Sequence, residues 1–159
     1  MRHTISLLVE NKFGVLARIA GLFSARGYNI ASLAVSETLD PSISYMTIVV
    51  EAKDEAILEQ IKKQLNKLID VITVTDFTKK EHVERELILV KLSWSIKDKH
   101  KLEALLGKYV GKIIKHKADT AIIEAVGDQH QIKEVIEALS KFGIKELMRT
   151  GKLAIGTEQ

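Results

Sequence analysis

Two side-chain amides and a glycine carry the clearest chemistry in this 159-residue chain. Asn11 lies in a polar turn after an apolar run, Gly14 stands where a helix begins, and Asn29 follows that helix's far end. A glycine at a helix start leaves the first backbone amides lightly covered. Those amides lack partners inside the helix and carry the positive end of its dipole. A small anion or an amino acid carboxylate fits such a place. A carboxamide nearby donates to a carboxylate or accepts from an ammonium. This is chemistry for holding a small ligand. Each residue also has a plain structural reading: Asn11 as a helix cap or turn residue, Gly14 as a packing glycine, and Asn29 as the residue following a helix end.

The elements that must position these residues follow from periodicity. Ile5, Leu7 and Val9 alternate with more polar neighbours, as a strand with one strongly apolar face does. Val15, Leu16, Ile19, Leu22 and Phe23 recur at helical spacing, with Arg18 and Arg26 off the stripe. Gly27 fits the left-handed position that ends a helix. Ile30 to Thr38 reads as a second strand, Asp40-Pro41-Ser42 as a turn holding the sole proline, and Tyr45 to Ala52 as a third strand. Asp54 caps a second helix whose stripe is Ile57, Leu58, Ile61, Leu65 and Leu68, with Glu59 and Lys63 spaced for an exposed pair. Val71 to Phe77 is the fourth strand. The order β-α-β-β-α-β is the split unit of ferredoxin-like folds.

Thr78 to Glu84, TKKEHVE, reads as a charged connector, and the same order then recurs with little residue identity. Leu87 to Trp94 is a strand. Leu102, Leu105, Leu106, Tyr109 and Val110 mark a helix, and Lys112 to Lys117 and Thr120 to Val126 are two strands. Asp128 opens a helix with Ile132, Val135, Ile136 and Leu139 inward; Ile144 to Met148 and Lys152 to Ile155 finish as strands. The fold class expected is α+β, with domains at 1–78 and 85–159 joined by a linker at 79–84. Each half is small for a self-sufficient core, so each sheet is expected to gain stability by pairing. The loop after the first strand and the start of the second are expected near one rim of the sheet. Pairing between two copies then brings Asn29 of one towards the Asn11 loop of the other. The residues alone reach a small-ligand site at a dimer seam and do not name the ligand.

Composition narrows the field further. The chain has no cysteine, which excludes disulfides, thiolate metal sites and cysteine nucleophiles and suits a reducing cytoplasm. The opening MRHTISLLVE is too short in apolar run for a signal peptide, and no run reaches the ~18 apolar residues of a membrane helix. A net charge of +3 with 5% aromatic residues gives few stacking platforms, so nucleic acid is not an expected partner. His3, His82, His100, His116 and His130 make no metal-ligand spacing, and there is no phosphate loop. No catalytic or metal residue is assigned.

The string NKFGVLARIAGLFSARGYNIASLAV, the later LEQIKKQLNKLIDVITVTD, the segment HVERELILVKL and the ending ELMRTGKLAIG resemble the small regulatory subunit of acetolactate synthase (acetohydroxyacid synthase). The resemblance covers essentially the whole chain and is weaker after Lys91. It implies an amino-acid-sensing ACT domain first and a second ferredoxin-like domain after it. It implies a large catalytic partner carrying thiamine diphosphate, magnesium and FAD, which condenses 2-oxo acids on the way to the branched-chain amino acids. The small subunit of such a family has no catalytic machinery, raises the partner's activity and confers feedback inhibition by valine. By the same resemblance Asn11 is the loop residue that contacts the effector, and Gly14 lets the backbone approach it. Val15 and Leu16 supply helix-start amides, and Asn29 and Ile30 form the side given by the second chain of a homodimer. Lys12-Phe13 departs from the family pattern beside the pocket. Two other classes remain open from the residues: a free-standing amino-acid-sensing protein acting on another partner, and an enzyme in its own right.

Overall fold

The computed structural model describes residues 2–52 and 54–157. The chain divides into two compact units, one formed by Met1–Val83 with Lys152–Gln159, the other by Glu84–Gly151.

The first unit holds β1 (Arg2–Glu10), α1 (Val15–Ser24), β2 (Ile30–Glu37), β3 (Ile43–Glu51), α2 (Glu55–Leu65) and β4 (Val71–Asp76). Its sheet has the order β2-β3-β1-β4, and β1 and β3 pair antiparallel from Arg2↔Glu51 to Glu10↔Ile43. The alternation in β1 sends Ile5, Leu7 and Val9 to one face, where α1 and α2 cover them with Val15, Ile19, Phe23, Leu58, Ile61 and Leu65. Burying each such aliphatic or aromatic side chain contributes roughly 1.5–3 kcal/mol before entropy is counted. Asp54 caps α2 by accepting from the Ile57 amide at 2.9 Å, as its residue type predicts. Gly27 takes φ +68° just past α1, a conformation only glycine adopts without cost. Leu68 packs on the core from the loop after α2, not from the helix. The pair expected at Glu59 and Lys63 forms with Lys62 instead, at 2.6 Å, because Lys62 also faces Asp76 at 3.4 Å.

The second unit repeats the order. It contains β5 (His82–Ser93, which begins in the first unit), α3 (Lys99–Leu106), β6 (Val110–His116), β7 (Thr120–Gly127), α4 (Gln129–Ser140) and β8 (Ile144–Arg149). The strand order is β6-β7-β5-β8, and Ile88, Val90, Leu92, Leu102, Ile123, Ile132, Val135 and Leu139 form its core. Asp128 and Gln131 close a reciprocal capping box at the start of α4. Both units are thus α+β, ferredoxin-like βαββαβ folds.

Three local readings change. The stretch TKKEHVE is not loop throughout, since β5 begins at His82. Tyr109 and Val110 are not helical: α3 stops at Leu106, and Val110 opens β6 with its side chain 72% exposed. The last short strand, β9 (Leu153–Gly156), belongs to the first unit, where the Thr157 amide donates to Glu81 O at 3.4 Å.

Candidate functional site: the start of α1

Three loops meet at the end of the first sheet where β1 finishes. The Glu10 amide donates to Asp70 O at 2.9 Å, tying the α2–β4 loop to β1. The Asn11 amide donates to Ser42 O at 2.7 Å, and its side-chain Nδ2 donates to Pro41 O at 2.9 Å. Asn11 is therefore a clamp on the β2–β3 turn. That bond uses one of the two Nδ2 hydrogens, so Asn11 offers a ligand its side-chain oxygen, an acceptor, and the second N–H, a donor.

Gly14 is the N-cap of α1 and sits at φ +83°, ψ −7°, with no side chain capping the helix. Its left-handed backbone turns the chain sharply from the Asn11 loop into the helix. The Val15 amide closes back on Lys12 O at 3.3 Å, which takes it out of play. Among the described residues the Leu16 and Ala17 amides have no acceptor, as expected for the second and third positions of an uncapped helix. The open pair is thus Leu16 and Ala17, one residue along from the Val15 and Leu16 pair expected from the sequence. Val15 instead puts its side chain in the core at 4% exposure.

Arg18 is the neighbour that periodicity did not single out. Its Nε and Nη2 both reach Asp70 Oδ2 at 2.8 Å, and Asp70 is itself buried. Its Nη1 lies 2.9 Å from where a Cβ on Gly14 would stand. A guanidinium therefore flanks the open amides, and the helix start is less bare than the glycine suggested. The signal was available: an arginine four residues after Gly14 projects back over the first turn. Lys12, in the same loop, pairs with Glu10 at 2.7 Å. The hydrogen bond that the Lys12 ammonium donates to the Glu10 carboxylate raises the Lys12 pKa above its ordinary value.

Asn29 and Ile30 are elsewhere, and the rim expectation is corrected here. Ile30 pairs with Val50, while the Asn11 loop adjoins Ser42 and Ile43 at the other end of β3. Seven residues of strand separate these points, roughly 23 Å at about 3.3 Å each. The cause is topological. β1 and β2 both run antiparallel to β3, so they run parallel to each other, and the end of β1 and the start of β2 fall on opposite rims. One chain brings Asn11, Gly14 and Leu16 together and leaves Asn29 and Ile30 away from them.

A tandem of ferredoxin-like units, the first ending its β1 at a glycine-capped helix start, defines an ACT-domain protein. Residues 5–73 match the family model described as AHAS small subunit-like ACT domain, and residues 85–158 match that of the small subunit of acetolactate synthase. The chain is 46% identical to a probable acetolactate synthase small subunit of Archaeoglobus fulgidus, covering 98% of this chain and 96% of that protein. It is 38% identical to the acetolactate synthase small subunit of Bacillus subtilis, over 100% and 94%. The crystal structure of the small subunit from Thermotoga maritima superposes with a TM-score of 0.87 at 37% identity, over 100% of this chain and 99% of that one. The chain belongs to the acetolactate synthase small subunit family.

Among the described residues no three His, Asp or Glu side chains gather as a metal site, and no helix is long and apolar enough to cross a membrane.

Proposed function

We propose that this chain is the non-catalytic regulatory subunit of an acetolactate synthase: it binds the large catalytic subunit, raises its activity and confers feedback inhibition by valine in the cytoplasm. The thiamine diphosphate, magnesium and FAD chemistry belongs to that partner. Residues 1–78 serve as the effector-binding and dimerising domain, and residues 85–159 as the second domain.

The observation that carries this reading is the uncapped start of α1. The Leu16 and Ala17 amides and the Arg18 guanidinium present donors to one carboxylate, and the Asn11 side-chain oxygen is placed to accept from an ammonium. Leu16, 43% exposed, supplies part of an apolar wall for an isopropyl group.

The other half of the site comes from a second copy. β2 is an edge strand, and its run from Ala31 to Ser36 has no charge and no proline to deter pairing. Antiparallel pairing of two β2 strands, centred on Leu33 and Ala34, sets the second copy's Ile30 opposite Glu37. Its Asn29 then faces Thr38, beside the turn that Asn11 clamps. The same topology that separates the two asparagines within one chain reunites them across such a dimer. Valine in this seam favours one dimer arrangement by its differential affinity, and that arrangement activates the catalytic subunit less.

The test is calorimetric titration of the chain with valine, leucine and isoleucine, together with valine inhibition of the reconstituted enzyme. Saturable valine binding and inhibition support the proposal. Binding of an amino acid with no association to the catalytic subunit points to a free-standing sensor acting on another partner.

A further inference from the structure

The second unit repeats the rim of the first bond for bond. At the end of β1 the Glu10 amide donates to Asp70 O and the Asn11 amide to Ser42 O. At the end of β5 the Ser93 amide donates to Gly143 O and the Trp94 amide to Asp119 O, both at 2.9 Å. The registers agree as well: Val9 pairs with Val71 and Leu92 with Ile144, each directly after a shift in register. Trp94 therefore stands where Asn11 does, and Gly143 stands where Asp70 does. Around β1 this corner is filled, because the buried Asp70 holds Arg18 at 2.8 Å. Around β5 it is open. Gly143 brings no side chain, and its neighbours Lys141 and Phe142 line a cavity of about 540 Å³ together with Ser93, Trp94 and residues of α3. Small-ligand sites run from roughly 300 to 1,000 Å³.

The lining combines two chemistries. Trp94, Leu105 and Phe142 give aromatic and apolar walls, while Asp98, Lys101 and Lys141 bring charge. Among the described residues none of these three charged side chains has an ion-pair or hydrogen-bond partner. Asp98 stands at the N-cap of α3 and caps nothing with its side chain. Trp94 is 7% exposed, with its ring 5.4 Å from that of His116. Its indole N–H has no hydrogen-bond partner among the described residues either, although a buried indole ordinarily finds one.

We propose that this cavity is a second amino acid site: Lys101 and Lys141 hold an α-carboxylate, Asp98 accepts from the α-ammonium, and Trp94, Leu105 and Phe142 enclose an apolar side chain. Both charges of a zwitterion find their opposites there. A carboxylic acid without the amino group leaves Asp98 unanswered, and inorganic phosphate meets its repulsion and gains nothing from the walls. The anchoring differs from that at the start of α1, where open backbone amides act; here charged side chains supply it. Every lining group lies within Glu84–Gly151, so the site is complete in one copy of the chain. The proposal stands independently of the regulatory reading above.

Trp94 is the single tryptophan of the chain, so its fluorescence reports on this cavity. The test titrates the full chain with leucine, methionine and phenylalanine, with the corresponding acids lacking the amino group, and with inorganic phosphate. Trp94 fluorescence and calorimetry are read together. A saturable response to an apolar amino acid is expected, and it persists in Gly14→Asp, which alters only the start of α1. Lys101→Ala with Lys141→Ala weakens that binding at least about tenfold, and so does Asp98→Asn, as loss of charge-assisted hydrogen bonds does. Asp98→Asn does not weaken binding of the acid without an amino group. The melting temperature holds in these variants, because the altered side chains make no bonds within the chain. Absence of saturable binding by both methods in Gly14→Asp overturns the site, as does a response that Gly14→Asp abolishes, since the ligand then sits at α1. Equal affinity for the acid without an amino group, or indifference to Asp98→Asn, overturns the amino acid class in favour of a simple carboxylate. Phosphate as the sole ligand overturns it in favour of an inorganic anion.

Discussion

Gly14→Asp separates folding from effector binding. At φ +83° a residue with a Cβ costs about 1–2 kcal/mol, and aspartate, which tolerates the left-handed region better than most, falls near the lower figure. Its Cβ would meet Arg18 Nη1 at 2.9 Å, the far end of a flexible side chain that can swing aside. One kcal/mol lowers the melting temperature of a unit this size by about 4–8 °C, so the variant folds. Its carboxylate then occupies the place where the effector's carboxylate meets the Leu16 and Ala17 amides. Two charge-assisted hydrogen bonds at about 1.5–3 kcal/mol each are denied to the ligand, and tenfold in affinity corresponds to about 1.4 kcal/mol. Valine affinity should therefore fall at least about a hundredfold by calorimetry, and the reconstituted enzyme should lose valine inhibition while keeping its activation. Gly14→Ala carries the same backbone cost without the charge and should fall by less. A Gly14→Asp protein that melts within a few degrees of the unaltered chain and binds valine equally well refutes the assignment of the helix start.

Other changes test the surroundings of the site and the second unit. Arg18→Ala leaves the buried Asp70 carboxylate without its guanidinium; a loss of about 1–3 kcal/mol in denaturant unfolding and weaker valine binding are expected, with Arg18→Lys recovering only part. Arg149 holds Glu86 by two bonds of 2.7 Å, and the Glu86 side chain is 8% exposed; Arg149→Ala should cost about 2–4 kcal/mol in the same measurement, because an unpaired carboxylate stays buried. Burial pushes the Asp76 carboxyl up, but hydrogen bonds from Thr78 and the charge of Lys62 outweigh it and hold it below its ordinary 3.8. Its contribution is thus fully present above pH about 4 and is lost as pH falls through the depressed value, so Asp76→Asn should flatten the acid limb of the stability curve without adding stability at neutral pH.

The sequence was most legible where one local rule acts alone. The stripes of α1, α2 and α4 apart from the exposed Leu16 and the non-helical Leu68, the Asp54 and Asp128 caps and the left-handed Gly27 each follow from residue type and spacing, and the structure agrees. Val110 misled because it extends the helical spacing set by Leu102, Leu105 and Leu106, although Gly107 had already ended the helix. His82 and Val83 looked like connector among charges, yet they open a long strand. At the site, Gly14 was readable from its own backbone requirement. Arg18's place over the first turn followed from its spacing, but its bond to Asp70, fifty-two residues away, did not. The separation of Asn29 from Asn11 was also hidden. It is set by which strands run parallel, and that is a property of the whole sheet.

The return of β9 to the first unit has a consequence for how the protein is made. The first unit is discontinuous: Ala154, 7% exposed, and Gly156, whose Cβ position lies 3.3 Å from the Phe77 ring, reach it only after the intervening sixty-eight residues of Glu84–Gly151 have been synthesised. On the ribosome the sheet and helices around Asn11 can assemble early, since all of their residues precede Val83. The final packing against Phe77 waits until Leu153–Gly156 has been synthesised. A nascent chain thus passes through an interval in which the Asn11 loop is formed while this edge of its own unit is still bare, and changes within Leu153–Gly156 act on the N-terminal unit.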